Sequence, residues 1–142
     1  MKCTVHLQPD REEVIIYAKE NSPLVEEIRR LAELDALVLI GTQEDQRCTL
    51  NPISVLCFIT HNGKTEAITL DGTWRVKPRL YQLEAALGEQ FIKINQSCLV
   101  NPYAIARFKT TFGGSLQVVL KNGYTDYVSR RQVKTVKERM GL

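Results

Sequence analysis

From residue 46 onward the chain alternates short runs of apolar and polar residues, separated by turn dipeptides. A period of two places successive side chains on opposite faces of a strand, and such runs between Gly, Pro, Asn and Asp clusters read as antiparallel sheet. The pattern predicts strands over 55–59, 65–69, 73–76, 91–94, 104–108, 116–120 and 124–128. Asn62-Gly63, Asp71-Gly72 and Asn122-Gly123 are pairs that accept positive φ in tight hairpins, and Gly113-Gly114 marks a fourth turn. Two segments instead follow a helical period. Over 79–87, Leu80, Leu83 and Leu87 share a face and Gly88 follows; over 130–140, Val133, Val136 and Met140 share a face and Gly141 follows.

The first 46 residues read differently. A strand is predicted over 2–7, a turn at Pro9-Asp10, and a second strand over 14–18. Ser22-Pro23 supplies an N-cap and a proline at the first helical position. Leu24, Ile28 and Leu31, with Val25 and Ala32 beside them, then predict an amphipathic helix whose outward face carries Glu26, Glu27, Glu33, Arg29 and Arg30. A short strand over 37–40 ends at Gly41. The expected fold class is α+β, mainly β. A barrel-like antiparallel module with two short helices spans 47–142, and a small β-β-α-β extension over 1–46 precedes it. So small a unit should pack on the rest of the chain or on a partner. The chain shows no internal repeat, low-complexity tract or flexible linker.

A hydrophobic fraction of 44% with 25% charged residues describes an ordinary globular chain of 142 residues, with room for one real core. The longest apolar runs are five residues, such as 36–40 and 55–59, against roughly 20 for a membrane-spanning helix. No apolar signal stretch opens the sequence, so a cytoplasmic location is expected. Cys3, Cys48, Cys57 and Cys98 have no CxxC spacing and read as reduced, mostly buried thiols. Charge changes the picture more. Residues 1–46 hold five Lys/Arg against ten Asp/Glu, net −5, while residues 47–142 hold 14 against six, net +8. A local basic excess of that size concentrates polyanions.

Candidate chemistry is sparse. His6 and His61 belong to no metal-ligand spacing or nucleophile motif, and no phosphate-binding glycine loop is present. No catalytic residue, metal site, cofactor or small-molecule substrate is expected, and the chain does not read as an enzyme. Ser129 with Gln132 three positions later predicts a capping box at the start of the last helix. Arg130 and Arg131 in that first turn oppose the helix dipole; an external phosphate would compensate them, and the alternative is that they pair with a nearby acid such as Asp126 or splay into water. Residues 91–102 set Lys93, Asn95, Gln96, Ser97 and Asn101 among apolar pairs. Amides there suit adenine edges, and Lys93 and Ser97 suit phosphate oxygens; a polar turn satisfied within itself is the alternative. The turn His61-Asn62-Gly63-Lys64 is open to both readings as well. Phe108, Phe112 and Tyr103 are assigned to the core, which counts against a stacking platform for single strands or RNA.

Several of these runs occur together in an order that identifies a family. They are Val55-Leu56-Cys57-Phe58-Ile59, Leu80-Tyr81-Gln82-Leu83-Glu84, Phe91-Ile92-Lys93-Ile94, Ser97-Cys98-Leu99-Val100-Asn101, Leu120-Lys121-Asn122-Gly123 and Val128-Ser129-Arg130-Arg131. Over residues 47–140 the chain resembles the LytTR family of bacterial DNA-binding domains. The resemblance implies an antiparallel β fold whose loops enter successive major grooves of a duplex with direct-repeat half-sites, in a transcription regulator. By the same resemblance Asn95 and Gln96 match the base-contacting loop, Arg131 with Arg130 beside it matches a late groove-entering arginine, and the turn from His61 through Lys64 to Thr65 matches a third contacting loop. Gln96 stands where a basic residue commonly precedes the loop serine, and Asn95 stands where histidine or serine is frequent, which implies a base preference of its own. The chain is similar to stand-alone regulators of the family, in which a short extension replaces a receiver domain. The partners expected are double-stranded DNA, a second copy in a homodimer formed through residues 1–46, and a regulatory membrane protein. The competing function is a protein-interaction adaptor whose basic face meets an acidic protein.

Overall fold

The structure is a computed structural model of the chain and describes residues 1–34 and 37–142. After an irregular start come α1 (Pro23–Leu34), β1 (Leu39–Gln43), β2 (Gln46–Leu50), β3 (Val55–His61), β4 (Lys64–Thr69) and β5 (Gly72–Val76). Then follow α2 (Leu80–Leu87), β6 (Ile92–Asn95), β7 (Cys98–Val100), β8 (Ile105–Thr110), β9 (Leu116–Leu120), β10 (Thr125–Tyr127) and α3 (Arg130–Met140). The strands form one antiparallel sheet in the order β2-β1-β5-β4-β3-β7-β6 and a second in the order β10-β9-β8. The mainly β, α+β class read from the pattern is what the chain adopts, and the seven predicted strands correspond to β3–β6 and β8–β10.

The unbroken apolar run in β3 follows from burial on both faces. Cys57 faces Ile92, Ile94, Val100, the small sheet and Val136 of α3. Phe58 faces the other way, into a cluster with Leu80, Leu83 and Leu87 of α2 and with Phe91, whose ring centroid lies 5.4 Å from its own. Strand β7 repeats the division, Leu99 pointing to the α2 side and Cys98 and Val100 to the α3 side. A strand covered on both faces loses the polar alternation of a half-exposed one.

Two Asn-Pro turns lead into strands, an internal correspondence that the sequence reading missed. Asn51 accepts from the amide of Ile53 at 3.0 Å, and Asn101 accepts from that of Tyr103 at 3.0 Å. Each starts a single 3-10 turn, Pro52–Ser54 and Pro102–Ala104, that runs into β3 or β8.

Several expectations are corrected. Residues 2–7 and 14–18 form no strand: the chain turns at Pro9-Asp10, but no ladder joins its arms, and Leu7 and Tyr17 are each 93% exposed. An isolated two-stranded hairpin is at best marginal, and here neither a third strand nor a sheet face covers it. The extension therefore contributes α1 and β1 rather than a β-β-α-β unit. In α1, Ser22 does cap the helix, its Oγ accepting from the amide of Val25 at 3.3 Å. The helix is turned from the expected orientation, with Leu24 and Leu31 partly exposed while Arg30 is only 6% exposed. Strand β1 begins later than expected and passes through Gly41. A Cβ on Gly41 would lie 2.7 Å from Leu50 Cδ1 and 2.9 Å from Trp74 Cβ, so the glycine serves close packing rather than termination. The β1–β2 hairpin turns at Glu44-Asp45, with Gln43 opposite Gln46. Glu44 takes φ of 51° there, without the Asn-Gly signal that marked the other hairpins. Phe112, assigned to the core, sits fully exposed in the turn between β8 and β9, while Phe108 packs on the core and Tyr103 stays partly exposed.

Candidate nucleic-acid interface

Three separate stretches of chain meet at one end of the large sheet. The β3–β4 hairpin pairs His61 with Lys64, and its two turn residues, Asn62 and Gly63, take φ of 52° and 71°. Positive φ at both positions suits the right-handed twist of the strands, which is why Asn-Gly occurs there. Beside it, Thr60 donates its amide to the carbonyl of Ser97 at 3.0 Å, joining this hairpin to the two-residue turn Gln96-Ser97 between β6 and β7. The third stretch is the start of α3. The amide of Ser129 donates to the carbonyl of Ile94 at 2.8 Å, which seats Arg130 and Arg131 next to the same turn.

That last bond also explains why the expected capping box does not form. A box needs the Ser129 amide for the Gln132 side chain, but Ile94 already takes it, and Ser129 makes no side-chain cap. The helix is held by its neighbour strand instead. At α2, the amide of Arg79 donates to Gln82 Oε1 at 2.9 Å, half of such a box at a position where it was not foreseen.

The sequence-derived residues divide into two sets. Gln96, Ser97, His61, Lys64, Arg130 and Arg131 are exposed or largely so. Arg130 and Arg131 have no carboxylate within 4 Å among the described residues. Asp126 does not neutralise them, because Oδ1 accepts from Asn95 and from the amide of Tyr127, and Oδ2 accepts from Tyr124. Lys93 is half-buried, its Nζ 3.7 Å from Glu84. His61 Nδ1 lies 3.5 Å from Glu66.

Asn95 and Asn101 belong to the other set: unlike the exposed residues expected with them, both are buried and hydrogen-bonded within the framework. Asn95 is 2% exposed; its Nδ2 donates to Asp126 at 3.1 Å and to the Tyr127 carbonyl at 2.9 Å, and its Oδ1 accepts from the Ser97 amide at 2.8 Å. The amide thus shapes the turn and ties it to the approach to α3, the internally satisfied alternative for this residue. Asn101 is 3% exposed and bridges Val55 O, Tyr103 N and Arg30. Behind Asn95, burial and Asp126 raise the Tyr124 phenol above its ordinary range. A hydrogen bond with Cys57, followed by burial, raises the Cys98 thiol.

Two residues escaped the sequence reading. Arg79 donates to the carbonyl of Gly63 at 3.3 Å, placing a guanidinium at the β3–β4 turn. Tyr81 is strongly exposed nearby. With Thr60, Glu84, Lys93 and Gln96 they line a shallow groove of about 350 Å³. The signal available was Lys77-Pro78-Arg79, a basic cluster directly before a helix.

The family model described as LytTr DNA-binding domain matches residues 45–141. The chain belongs to the LytTr DNA-binding domain family. An HTH-type transcriptional regulator of Staphylococcus aureus (strain NCTC 8325 / PS 47) is 32% identical over 125 residues, covering 87% of this chain and 85% of that protein. One from the bovine strain RF122 / ET3-1 is 31% identical with the same coverage. The solved LytTr DNA-binding domain of a Bacillus cereus protein superposes with a TM-score of 0.68 at 20% identity, over 74% of this chain and 97% of that one. The relatives' label names a helix-turn-helix. In this LytTr chain the three described helices are separated from one another by strands, and the converging elements are two hairpin turns and one helix start.

Proposed function

We propose that this protein binds specific double-stranded DNA sequences and regulates transcription, with the two hairpin turns and the start of α3 as its reading head. The observation that carries the proposal is the convergence of Gln96, Ser97, His61, Lys64, Arg130 and Arg131 on three linked elements, in a basic module of the LytTr family. Arg130 and Arg131 meet no carboxylate among the described residues, and free guanidiniums at a helix start suit phosphate oxygens or guanine edges. In this reading Gln96 and Arg131 read base edges in the major groove, while Lys93, Ser97, Lys64, Arg130 and Arg79 hold the backbone. Successive turns of one duplex fit direct-repeat half-sites. In the same proposal the chain works in the cytoplasm, without catalysis. Among the described residues no helix is long and apolar enough to cross a membrane.

Residues 1–46 serve, in the same proposal, as the extension through which two copies or a regulatory membrane protein engage the module at 47–142. Val5, Leu7, Val14, Ile15 and Tyr17 are all exposed, an apolar series that a partner would cover. Replacing Val14, Ile15 and Tyr17 with serine in the full chain should halve the sedimenting mass if they hold a homodimer; an unchanged dimer mass would remove them from that role.

Selection of bound duplexes from a randomised pool, run on the wild type and on Arg130→Ala/Arg131→Ala, tests the DNA reading. Enrichment of a repeated motif by the wild type alone is expected. Enrichment by neither protein, with the basic face capturing an acidic protein in a salt-sensitive manner, would favour the adaptor function instead.

A further inference from the structure

A second concave site lies away from the reading head, between the first and last helices of the chain. It has a volume of about 460 Å³, within the range of small-molecule sites, and its walls bring together Arg29 and Arg30 of α1 with Arg139 near the end of α3. An α-helix rises about 1.5 Å per residue, so this end of α3 lies roughly 15 Å from Arg130 and Arg131.

The charges of these guanidiniums are poorly compensated. Arg30 is more than nine-tenths buried, and among the described residues no carboxylate approaches it within 4 Å. Its Nη2 donates to Asn101 Oδ1 at 2.9 Å, its charged carbon lies 4.2 Å from the centroid of the Tyr103 ring, and its Nε has no partner. Burial lowers its pKa from the usual arginine value. Arg139 donates to the backbone carbonyls of Phe91 and Glu89, neutral acceptors that leave its charge unpaired. Arg29 has Glu26 at 3.9 Å, and Glu27 acts on Arg30 from a greater distance. A buried cation whose contacts are dipoles and whose acid lies further off is expensive, and an anion brought into contact with it recovers part of that cost. Glu26 and Glu89 also border the cavity, which disfavours an ion carrying several charges. Beside Gln90 and the Tyr103 ring, the remaining wall has an apolar strip formed by Ile92, Pro102 and Met140.

We infer that the cavity between α1 and the end of α3 is a binding site for a small organic acid, one carboxylate meeting the guanidiniums and a short apolar body lying on Ile92, Pro102 and Met140. A carboxylate matches the planar fork of a guanidinium, and the apolar wall distinguishes such a ligand from a bare inorganic anion. An acid bound there bridges the helix of the extension to the helix whose other end carries Arg130 and Arg131.

The test needs no DNA, so its result is independent of the reading-head proposal. The full chain is titrated with benzoate, butyrate and inorganic phosphate at constant ionic strength, following melting temperature and backbone amide chemical shifts. A saturable rise in melting temperature with benzoate or butyrate, with shifts centred on residues 26–30, 89–92 and 139–140, is expected. Because Arg30 also braces Asn101, the exposed Arg29→Gln and Arg139→Gln carry the mutational arm, and each should weaken binding at least tenfold. Equal or stronger binding of phosphate would overturn the organic-acid assignment. Shifts located elsewhere, no saturation, or unchanged affinity in both variants would overturn the site.

Discussion

Residues 14–18 and residues 55–59 are both short apolar runs, Val-Ile-Ile-Tyr-Ala and Val-Leu-Cys-Phe-Ile, and local propensity favours a strand in each. Their fates are opposite. In the second run Val55, Cys57 and Phe58 are completely buried within a strand that has a partner on each side and a cluster against each face. In the first, Val14, Ile15 and Tyr17 lie in solvent and belong to no strand. The difference teaches that β-propensity is a capacity realised by neighbours. Strand β3 has α2 on one side of the sheet and α3 with the small sheet on the other, whereas the arm before α1 joins no strand and only its residues 12–14 border Ile28, Leu31 and Ala32 of α1. The same contrast separates the two Asn-Pro turns. Asn51 makes local bonds, while Asn101, identical in its immediate geometry, also reaches Val55 and Arg30 and so ties α1 to the module.

The largest expected effect comes from Phe58→Ala, which opens a cavity among Leu83, Leu99 and Phe91. A loss of about 3–5 kcal/mol in a urea melt is expected, enough to unfold a marginal domain. Next stands Asn101→Ala. Buried groups left without partners cost about 1–3 kcal/mol each, so its loss should clearly exceed that of Asn51→Ala, expected near 1 kcal/mol as for an ordinary helix cap. Equal losses from the two asparagines would show that Asn101 does not brace α1. For the reading head, Arg131→Ala should cost about 1–3 kcal/mol of affinity for the selected duplex and relax its sequence preference. Lys93→Ala should weaken all duplexes alike and flatten the salt dependence. Binding isotherms at several salt concentrations separate the two behaviours. The smallest effect belongs to Ile15→Ala, within about 0.5 kcal/mol in the dilute monomer. A loss as large as that from Phe58→Ala would mean that the arm is packed after all.

Much of the module was legible in the sequence because its signals are local. Turn dipeptides with positive φ, leucines at helical spacing and glycines behind both later helices each constrain a few consecutive residues. Strands β2 and β7 were missed for the opposite reason: β2 follows a turn of two acidic residues, and β7 is only Cys98–Val100, given its identity by pairing with β3 and β6. At the candidate site, the right segments were legible and the roles within them were not. Asn95 and Gln96 are adjacent amides with the same hydrogen-bonding capacity. One is buried under the turn and the other faces solvent, because the turn's backbone needs an acceptor for the Ser97 amide and Asp126 needs a donor. Arg79 was invisible for a similar reason, since its link to Gly63 crosses 16 positions.

By itself, the sequence determined the mainly β class, the positions of most turns, two helices of the module with their buried faces, the division of charge at residue 46 and the LytTR family. These rest on short-range periodicity, turn chemistry and composition, which act before the chain has folded. Only the tertiary structure decided which asparagines are spent on the framework, which face of α1 turns inward with Arg30, and that the arm before α1 stays unpaired. It also brought two hairpin turns and a helix start to one end of the sheet. Those outcomes depend on what each residue finds across the fold, and burial and hydrogen bonding between distant segments settle them when the chain closes.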